Sequence, residues 1–409
     1  MAVSVSRNQE RDFLLNNQEA GLSMREWLPL AGMTCAAFLF NTSEFMPIGL
    51  LSAIAEDFAM TEAEIGRIVS IYAWVVMVLS MPLMVWASRY GLRALILSTL
   101  GVFILSNSLA SLANDFWTLL GARLVLACAH AIYWSIATPA AVRLVEPKFK
   151  AIAMSMLVAG SSLAVILGLP VGRIIGLQLG WRMSFFAMAA VAVVILLYMV
   201  VVFPKLPKTE PFSFRQLPEL LHNKVLMGLY GVNILVPMSQ YTAYSYIEPF
   251  MKQVGGMSDN MITTALMMLG VAGMAGSMLF ARLYERCSRY YLAGTILGLA
   301  ASLMALHPLS GSEYLLLPLI VLWGIFMTSY GMASQAEVLQ ATTLSSAPVA
   351  MSIYSGIFNF GIGGGTWAGG VICTELSMAY IGYGGAVFAL LGFGVSLWLR
   401  GQVAASCNE

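Results

Sequence analysis

Long apolar stretches separated by short polar connections run through most of the chain. A membrane-spanning helix needs about 20 mostly apolar residues, and twelve stretches approach or exceed that length. We number them span 1 to span 12 in chain order, over residues 28–52, 65–86, 94–113, 116–138, 151–176, 181–203, 225–250, 261–283, 291–308, 314–340, 350–375 and 380–399. The pattern predicts an all-α integral membrane protein with twelve transmembrane helices embedded in the lipid bilayer.

The composition agrees with this class. The chain of 409 residues is 59% hydrophobic and 10% charged, with a formal net charge of +1, whereas soluble domains carry about 25% charged residues. The near-neutral charge gives no reason to expect a nucleic-acid partner. The five cysteines have no paired spacing, and the chain has no phosphate-binding, zinc-protease or nucleophile-elbow motif. We therefore expect no disulfide, metal, cofactor or enzyme activity.

Basic residues are concentrated in the connections on one side of the predicted membrane. These residues are Arg89, Arg93, Arg143, Lys148, Lys150, Lys205, Lys208, Arg215, Lys224, Arg282, Arg286 and Arg289. Cytoplasmic connections of membrane proteins are enriched in Lys and Arg. The asymmetry predicts that both termini lie in the cytoplasm, and we call the opposite end of the helices the outer end.

A proline-rich, charged segment divides the spans six and six. The predicted organisation is a cytoplasmic tail over 1–27, a six-helix bundle over 28–203, a cytoplasmic linker over 204–224, a second six-helix bundle over 225–400 and a tail over 401–409. The stretch FNTSEFMP in span 1 is weakly echoed by YTAYSYIEPF in span 7, so the halves are predicted to be pseudo-symmetric repeats. Because one chain holds both bundles, we expect a monomer.

Few spans carry a charged or titratable residue, since an ionised group at a helix centre costs about 2.5–3.5 kcal/mol. These residues are Glu44 in span 1, Arg123 and His130 in span 4, Arg173 in span 5, Glu248 in span 7 and Glu337 in span 10. Glu44 and Arg123 are both predicted in the outer half of their spans and can approach if spans 1 and 4 are neighbours. They are either a proton-coupling pair or a structural pair. Whether Glu248 and Glu337 are functional stays open.

Polar and aromatic residues form stripes on the helices. Arg123, Ala127, His130 and Trp134 share one face of span 4, and Asn233, Gln240 and Tyr244 share one face of span 7. Amides can bond hydroxyl groups, and rings can cover an apolar ring face. The predicted substrate-binding residues are Asn41, His130, Trp134, Asn233, Gln240, Tyr241, Tyr244 and Asn359. The aromatic residues among them could instead serve packing.

Span 5 contains regularly spaced glycines. Gly160, Gly168, Gly172 and Gly176 leave a smooth helix face on which another helix can pack closely, and Pro170 bends the helix. We expect these five residues to form a bend that moves or seals during gating.

Several motifs resemble those of the major facilitator superfamily. GSSLAVILGLPVGR resembles the span 5 antiporter motif of its drug/proton antiporter type, and GARLVLACAH resembles the span 4 motif with a buried arginine, here Arg123, although Cys128 replaces the usual glycine. ASRYGLR resembles the loop motif after span 2 but has Ser88 in place of aspartate. The resemblance implies a transporter in which the two bundles enclose a central cavity.

A closer resemblance is to the bacterial SotB-type sugar efflux transporters. It is carried by FNTSEFMPIGLL, SIYAWVV, AHAIYWSI, LGLPVGRIIG, GWRMSFFA, YTAYSYIEPF and SGIFNFGIG, which extend from span 1 to span 11. It implies proton-coupled export, by antiport, of sugars or sugar-like compounds such as arabinose or thiogalactosides across the bacterial inner membrane. A multidrug/proton antiporter for lipophilic compounds is the alternative, and a polytopic membrane receptor or enzyme is an alternative from another class.

Overall fold

The computed structural model describes residues 22–206, 217–343 and 346–406, and these ranges contain helices and turns without a β-strand. The predicted all-α class is therefore confirmed. Most of the predicted N-terminal tail, the central part of the linker (207–216) and residues 407–409 of the C-terminal tail lie outside the described residues.

The first six predicted windows fall almost entirely on helices. Their bounds are Met24–Gly49 and Leu51–Phe58 for span 1, Glu62–Ala87 for span 2, Leu92–Ser111 for span 3, Phe116–Arg143 for span 4, Lys150–Leu163, the π-helical Ala164–Gly168 and Leu169–Leu179 for span 5, and Trp181–Val202 for span 6. A short 3₁₀ turn, Pro147–Phe149, precedes span 5.

The second six windows are helical too. After a short helix Leu217–His222, the bounds are Lys224–Tyr244 and Ile247–Gln253 for span 7, Asp259–Leu309 for spans 8 and 9 together, Glu313–Gln340 for span 10, Ala347–Glu375 for span 11, and the 3₁₀ turn Met378–Tyr380 followed by Ile381–Ser406 for span 12. Spans 8 and 9 meet at a kink where Cys287 has non-helical backbone angles.

Nine helices in the described part of the chain are long and apolar enough to cross a membrane, or ten if the bent helix pair of span 1 is one span. Spans 7 and 11 are the two predicted windows outside this set. Both are helical, but Asn233 and Gln240 lower the mean hydropathy of span 7, and Asn359 with a run of glycines lowers that of span 11. The count is consistent with twelve membrane helices, of which spans 7 and 11 are less apolar than the others.

Side-chain caps fix where several helices begin at the outer end. Thr61 accepts a hydrogen bond from the backbone N–H of Glu64, and the Glu64 carboxylate bonds back to Thr61. Asp115 accepts from the N–H of Thr118 at the start of span 4. Such caps satisfy N–H groups that have no partner inside the helix. They explain how short polar connections can start a new span sharply.

Span 1 is longer and more bent than its sequence window. The helix Met24–Gly49 is followed at an angle of 62° by Leu51–Phe58, so Asp57, expected in a connection, lies on a short helix. Its carboxylate pairs with Arg182 at the start of span 6, at 2.8 Å. The outer end of span 1 is thus tied to span 6.

The helices of the two halves pack in the same order. In the first half, span 1 contacts spans 5 and 6, span 2 contacts span 4, and span 3 contacts span 6. In the second half, span 7 contacts spans 11 and 12, span 10 packs on the helix of spans 8 and 9, and span 12 packs on that same helix. The halves meet where span 2 contacts span 11 and span 5 contacts span 8. This repeated order fits two related bundles, whose exact boundaries stay a prediction.

Glycines allow the close approach between the halves. A Cβ added to Gly270 of span 8 would lie 2.8 Å from the Cα atom of Ile166 in the π-helical part of span 5. On the other side of the molecule, Gly363 of span 11 lies against the indole of Trp74 and the backbone of Ser70 in span 2. At both contacts a side chain would push the two halves apart.

Replacing Gly270 with alanine tests this packing. We expect Gly270→Ala to lower the midpoint of thermal unfolding in detergent, because the new methyl group meets backbone atoms that cannot rotate away. The matched control is Gly294→Ala in span 9, where an added Cβ meets nothing within 4 Å and alanine favours the helix by up to about 1 kcal/mol. Equal midpoints for the two variants would contradict the proposed close contact.

Candidate functional site

The side chain of Glu44 is buried in the middle of the protein and faces His130. Its Oε2 atom lies 3.8 Å from His130 Nε2, and the two residues are 9% and 6% exposed. This separation is longer than a hydrogen bond. A carboxyl group and an imidazole, both predicted as functional residues, are therefore neighbours without being locked together.

Arg123 contacts span 1 through the backbone. Its guanidinium donates to the carbonyl oxygens of Ser43, at 2.6 Å, and Glu44, at 3.0 Å. The helical partner of the Ser43 carbonyl would be the N–H of residue 47, but Pro47 has none. The predicted approach of Glu44 and Arg123 occurs, but Arg123 binds the backbone carbonyl of Glu44 and compensates for Pro47.

Aromatic rings surround the Glu44–His130 pair. The imidazole lies 5.7 Å from the ring of Tyr72, 6.0 Å from that of Phe40 and 6.3 Å from that of Trp134, between ring centroids. The guanidinium of Arg123 lies 4.5 Å from the centre of the Tyr72 ring, in a cation–π contact. His130 Nδ1, Arg123 Nε and the Tyr72 hydroxyl are buried without a hydrogen-bond partner among the described residues. These polar atoms can therefore still form hydrogen bonds.

A chain of rings leads from Glu44 into the second half. Phe45 stacks on Tyr241 of span 7 with ring centroids 6.4 Å apart, Tyr241 contacts Tyr244 at 5.6 Å, and Tyr244 contacts Trp323 of span 10 at 6.3 Å. We call these four residues the aromatic chain. It places Tyr241 and Tyr244, two predicted substrate-binding residues, beside the span 1 segment that carries Glu44.

Span 11 also contributes residues to the region around the aromatic chain. The ring of Phe358 lies 6.5 Å from that of Tyr241, and Asn359 follows it in the chain. Asn359 Nδ2 donates to the Ser355 carbonyl at 3.0 Å, while its Oδ1 atom and the Tyr354 hydroxyl are buried without a partner among the described residues. Two more buried polar atoms near the aromatic chain are therefore unpaired within the described protein.

The amides on span 7 differ in their surroundings. Asn233 is fully buried and donates to the Tyr354 carbonyl at 3.1 Å, and the hydroxyl of Tyr330 lies 3.5 Å from its Oδ1. It joins spans 7, 10 and 11. Gln240 is also buried but has no hydrogen-bond partner in the described part of the chain, and half-buried Asn41 has none there either. Gln240 and Asn41 therefore keep free amides, whereas Asn233 is committed to packing.

The glycine face of span 5 lies against span 1. Gly160 faces the carbonyl of Thr34, Gly168 faces Thr42, Gly172 faces Met46, and Gly176 faces Leu50. Span 5 is π-helical over Ala164–Gly168, just before Pro170, and π-helical segments are frequent at functional sites. The motif is thus in contact with the part of span 1 that carries Glu44, and its role in gating stays a prediction.

Six residues of this region were not among the predicted site residues, namely Phe40, Phe45, Tyr72, Trp323, Tyr354 and Phe358. Tyr72 lies in an apolar window, where a single tyrosine is more often a packing residue. Phe358 adjoins Asn359, which the sequence did select, and this adjacency is the signal that could have identified it.

Alanine substitutions distinguish the structural role of Asn233 from that of Gln240, the two amides of span 7. We expect Asn233→Ala to lower the free energy of unfolding by about 0.5–1.5 kcal/mol, because one buried hydrogen bond is lost. We expect Gln240→Ala to leave it nearly unchanged, since Gln240 bonds no described residue. Chemical or thermal unfolding in detergent measures both, and an equal loss in the two variants would contradict this assignment.

Comparison with known proteins agrees with this architecture. Two solved structures of a bacterial homolog of the human lysosomal transporter Spinster, inward-facing and either unoccupied or occupied, are similar in fold. Each is 15% identical and covers 93% of this chain; the TM-scores are 0.79 and 0.78, with 98% and 97% of the other chain covered. The sequence profile of the Major Facilitator Superfamily matches residues 33–343. This chain, with its multi-pass helical transporter fold, belongs to the Major Facilitator Superfamily.

Proposed function

We propose that this protein is a proton-coupled antiporter that exports sugars or sugar-like compounds, such as arabinose or thiogalactosides, by alternating access. The observation that carries the proposal is the buried Glu44 carboxyl group, which faces His130 on one side of span 1 while the next residue, Phe45, stacks on Tyr241 of the second half. A proton-binding group and a candidate substrate surface are therefore adjacent in the chain and lie where the two halves meet.

Glu44 is the proposed proton carrier. Burying an ionised carboxylate without a close counter-charge is costly, whereas its protonated form has no net charge to desolvate. Arg123 does not remove this cost by direct pairing, since two of its nitrogens bond backbone carbonyls. A change in hydration between the two access states would therefore change whether Glu44 holds a proton, and Arg123 is the charge that biases this exchange.

The neighbouring groups suit a sugar. Tyr241, Tyr244 and Trp134 offer ring faces that can cover the apolar face of a pyranose, and the amides of Gln240 and Asn41 can bond its hydroxyl groups. The buried Oδ1 of Asn359 adds an acceptor. The resemblance to SotB-type exporters points to the same class of substrate. Asn233 acts behind this surface, by holding spans 7, 10 and 11 together.

A multidrug/proton antiporter is the second candidate, because the aromatic chain would also suit a lipophilic compound. The two candidates differ in what the amides do. A sugar needs Gln240 and Asn41 as hydrogen-bonding partners, whereas a lipophilic cation needs only the rings and the carboxylate.

The proposed setting is the bacterial inner membrane, with both termini in the cytoplasm and the chain acting as a monomer. The clustered basic residues of the connections support this orientation. The span 4 to span 5 connection, with Arg143, Lys148 and Lys150, is an example of the basic side.

Glu44→Gln tests proton coupling in proteoliposomes of inverted orientation. With an inside-acid pH gradient, the wild type should accumulate a labelled thiogalactoside and lose it when an uncoupler is added. Glu44→Gln should fail to accumulate it but still exchange labelled for unlabelled substrate, because the amide cannot carry a proton.

The matched control is Glu375→Gln, which changes an exposed carboxylate at the end of span 11. It should transport like the wild type. Wild-type pH dependence in Glu44→Gln would exclude Glu44 as the carrier, and accumulation of lipophilic cations without any effect of added sugars would favour the multidrug function.

Gln240→Ala tests the sugar site itself. We expect weaker binding of the thiogalactoside by about 0.5–1.5 kcal/mol, the value of one hydrogen bond, which corresponds to a Kd larger by roughly 2- to 12-fold. Equilibrium binding to purified protein measures this. An unchanged Kd would remove Gln240 from the site.

A further inference from the structure

Arg173, in the last part of span 5, has four polar contacts although it is almost fully buried. Its Nη1 lies 3.0 Å from Glu248 Oε1 and also donates to the carbonyl of Gly49, and its Nη2 lies 2.7 Å from Asp259 Oδ1. Its Nε donates to Thr263 Oγ1 at 3.3 Å. Four of the five guanidinium N–H groups thus have partners, which come from three other spans.

Glu248 is bound from both sides. One carboxylate oxygen accepts from Arg173, and the other accepts from the backbone N–H of Ser52 at 3.1 Å and from the Ser52 hydroxyl at 2.9 Å. Residue 248 is 1% exposed. The carboxylate of Glu248 is therefore held inside the protein, away from water.

The network joins the two halves of the protein. Arg173, Gly49 and Ser52 belong to the first half, and Glu248 and Asp259 belong to the second. All five lie in the outer part of their spans, on the side where span 5 ends and span 8 begins. A hydrogen bond from Gln253 to Glu62 joins the halves close by.

We propose that Arg173, Glu248 and Asp259 form the outer gate of the transport pathway. In the conformation seen here they hold the outer ends of the two halves together, and release of substrate to the outside requires their contacts to break. This inference rests on the proposed alternating-access function and adds to it a specific set of residues that closes one side.

Ionic contacts suit a gate better than apolar ones. Arg173 and Glu248 are each 1% exposed, whereas Asp259 is already 46% exposed. When the halves separate, water hydrates Arg173 and Glu248, so the loss of their attraction is offset by solvation that they lacked in the closed state. An apolar contact of the same area would instead expose apolar surface to water. A buried ion network can therefore have closed and open states of similar free energy, as a gate needs.

The gate is also connected to Glu44. Gly49 is the last residue of the first helix of span 1, at the 62° bend, and Glu44 precedes it by little more than one turn. The carbonyl groups at the end of a helix lack partners within it, and a cation there is favourable. Arg173 thus caps the helix that carries Glu44 with the same guanidinium that holds the second half.

Distance measurements between spin labels test the gate directly. With the five native cysteines replaced, labels are placed at Trp117→Cys and Tyr314→Cys, whose side chains are 75% and 89% exposed at the outer starts of spans 4 and 10. In double electron–electron resonance, Glu248→Gln and Arg173→Gln should each produce a population at longer distance than in the labelled parent.

The matched control is Arg182→Gln. Arg182 also pairs with a carboxylate at the outer end, that of Asp57, but both residues belong to the first half. Its distance distribution should equal that of the parent. The proposed gate would be overturned if the distance distribution of Glu248→Gln, like that of Arg182→Gln, equalled that of the parent.

The test remains informative if Arg173→Gln does not fold, since Glu248→Gln keeps the size of the side chain and can still accept from Ser52. It is also independent of the cargo, because the distances are measured without substrate or pH gradient. A shifted distribution in a protein that moves no sugar would support the gate and contradict only the proposed substrate. Sugar transport together with unshifted distances in Glu248→Gln would support the proposed substrate and contradict the gate.

Discussion

Pro47 removes one hydrogen-bond donor from the last turn of the first helix of span 1, and much of the central site follows from how that loss is compensated. In the membrane an unpaired backbone carbonyl is costly, and Arg123 satisfies the carbonyl of Ser43 together with that of Glu44. This fixes span 4 against span 1, brings His130 to Glu44, and commits the guanidinium to the backbone. The carboxylate is consequently left with the His130 imidazole as a neighbour in place of a permanent ion pair, as the proposed proton-carrier role requires.

The second recurring constraint is the close contact between the halves, which the proposed alternating access requires to be reversible. Gly270 and Gly363 let backbones approach where spans 5 and 8, and spans 2 and 11, cross between the halves. At the outer end Arg173 adds ionic contacts to this packing. Small residues and buried charges both allow a close contact that can be broken, because neither interlocks the two surfaces as large apolar side chains would.

The positions of the helices and the depth of each residue in the membrane could be predicted from the sequence. The contacts between side chains could be predicted less well. Apolar length located the helices, and depth placed Glu44 near Arg123. Depth alone could not show which atoms are in contact, because Arg123 can reach either the carboxylate or the backbone carbonyl of Glu44 from the same depth. Asn233 and Gln240 lie on one stripe of span 7, yet only the tertiary contacts with Tyr330 and Tyr354 make one structural and leave the other free. The pairing of Arg173 with Glu248 joins residues from different halves, and no local pattern reveals such a contact.

Span 1 connects the two parts of the molecule that carry charge. Its helix holds Glu44 beside His130, and its last carbonyl, at the bend, is held by Arg173. The glycine face of span 5 lets Arg173 reach this position, since Gly172 and Gly176 bring the two helices together around Met46 and Leu50. A change in the charge or hydration of Glu44 acts on the same short helix segment that the outer network holds. Span 1 therefore offers a direct mechanical route between the central carboxyl group and the outer closure, without requiring a longer pathway through the bundle.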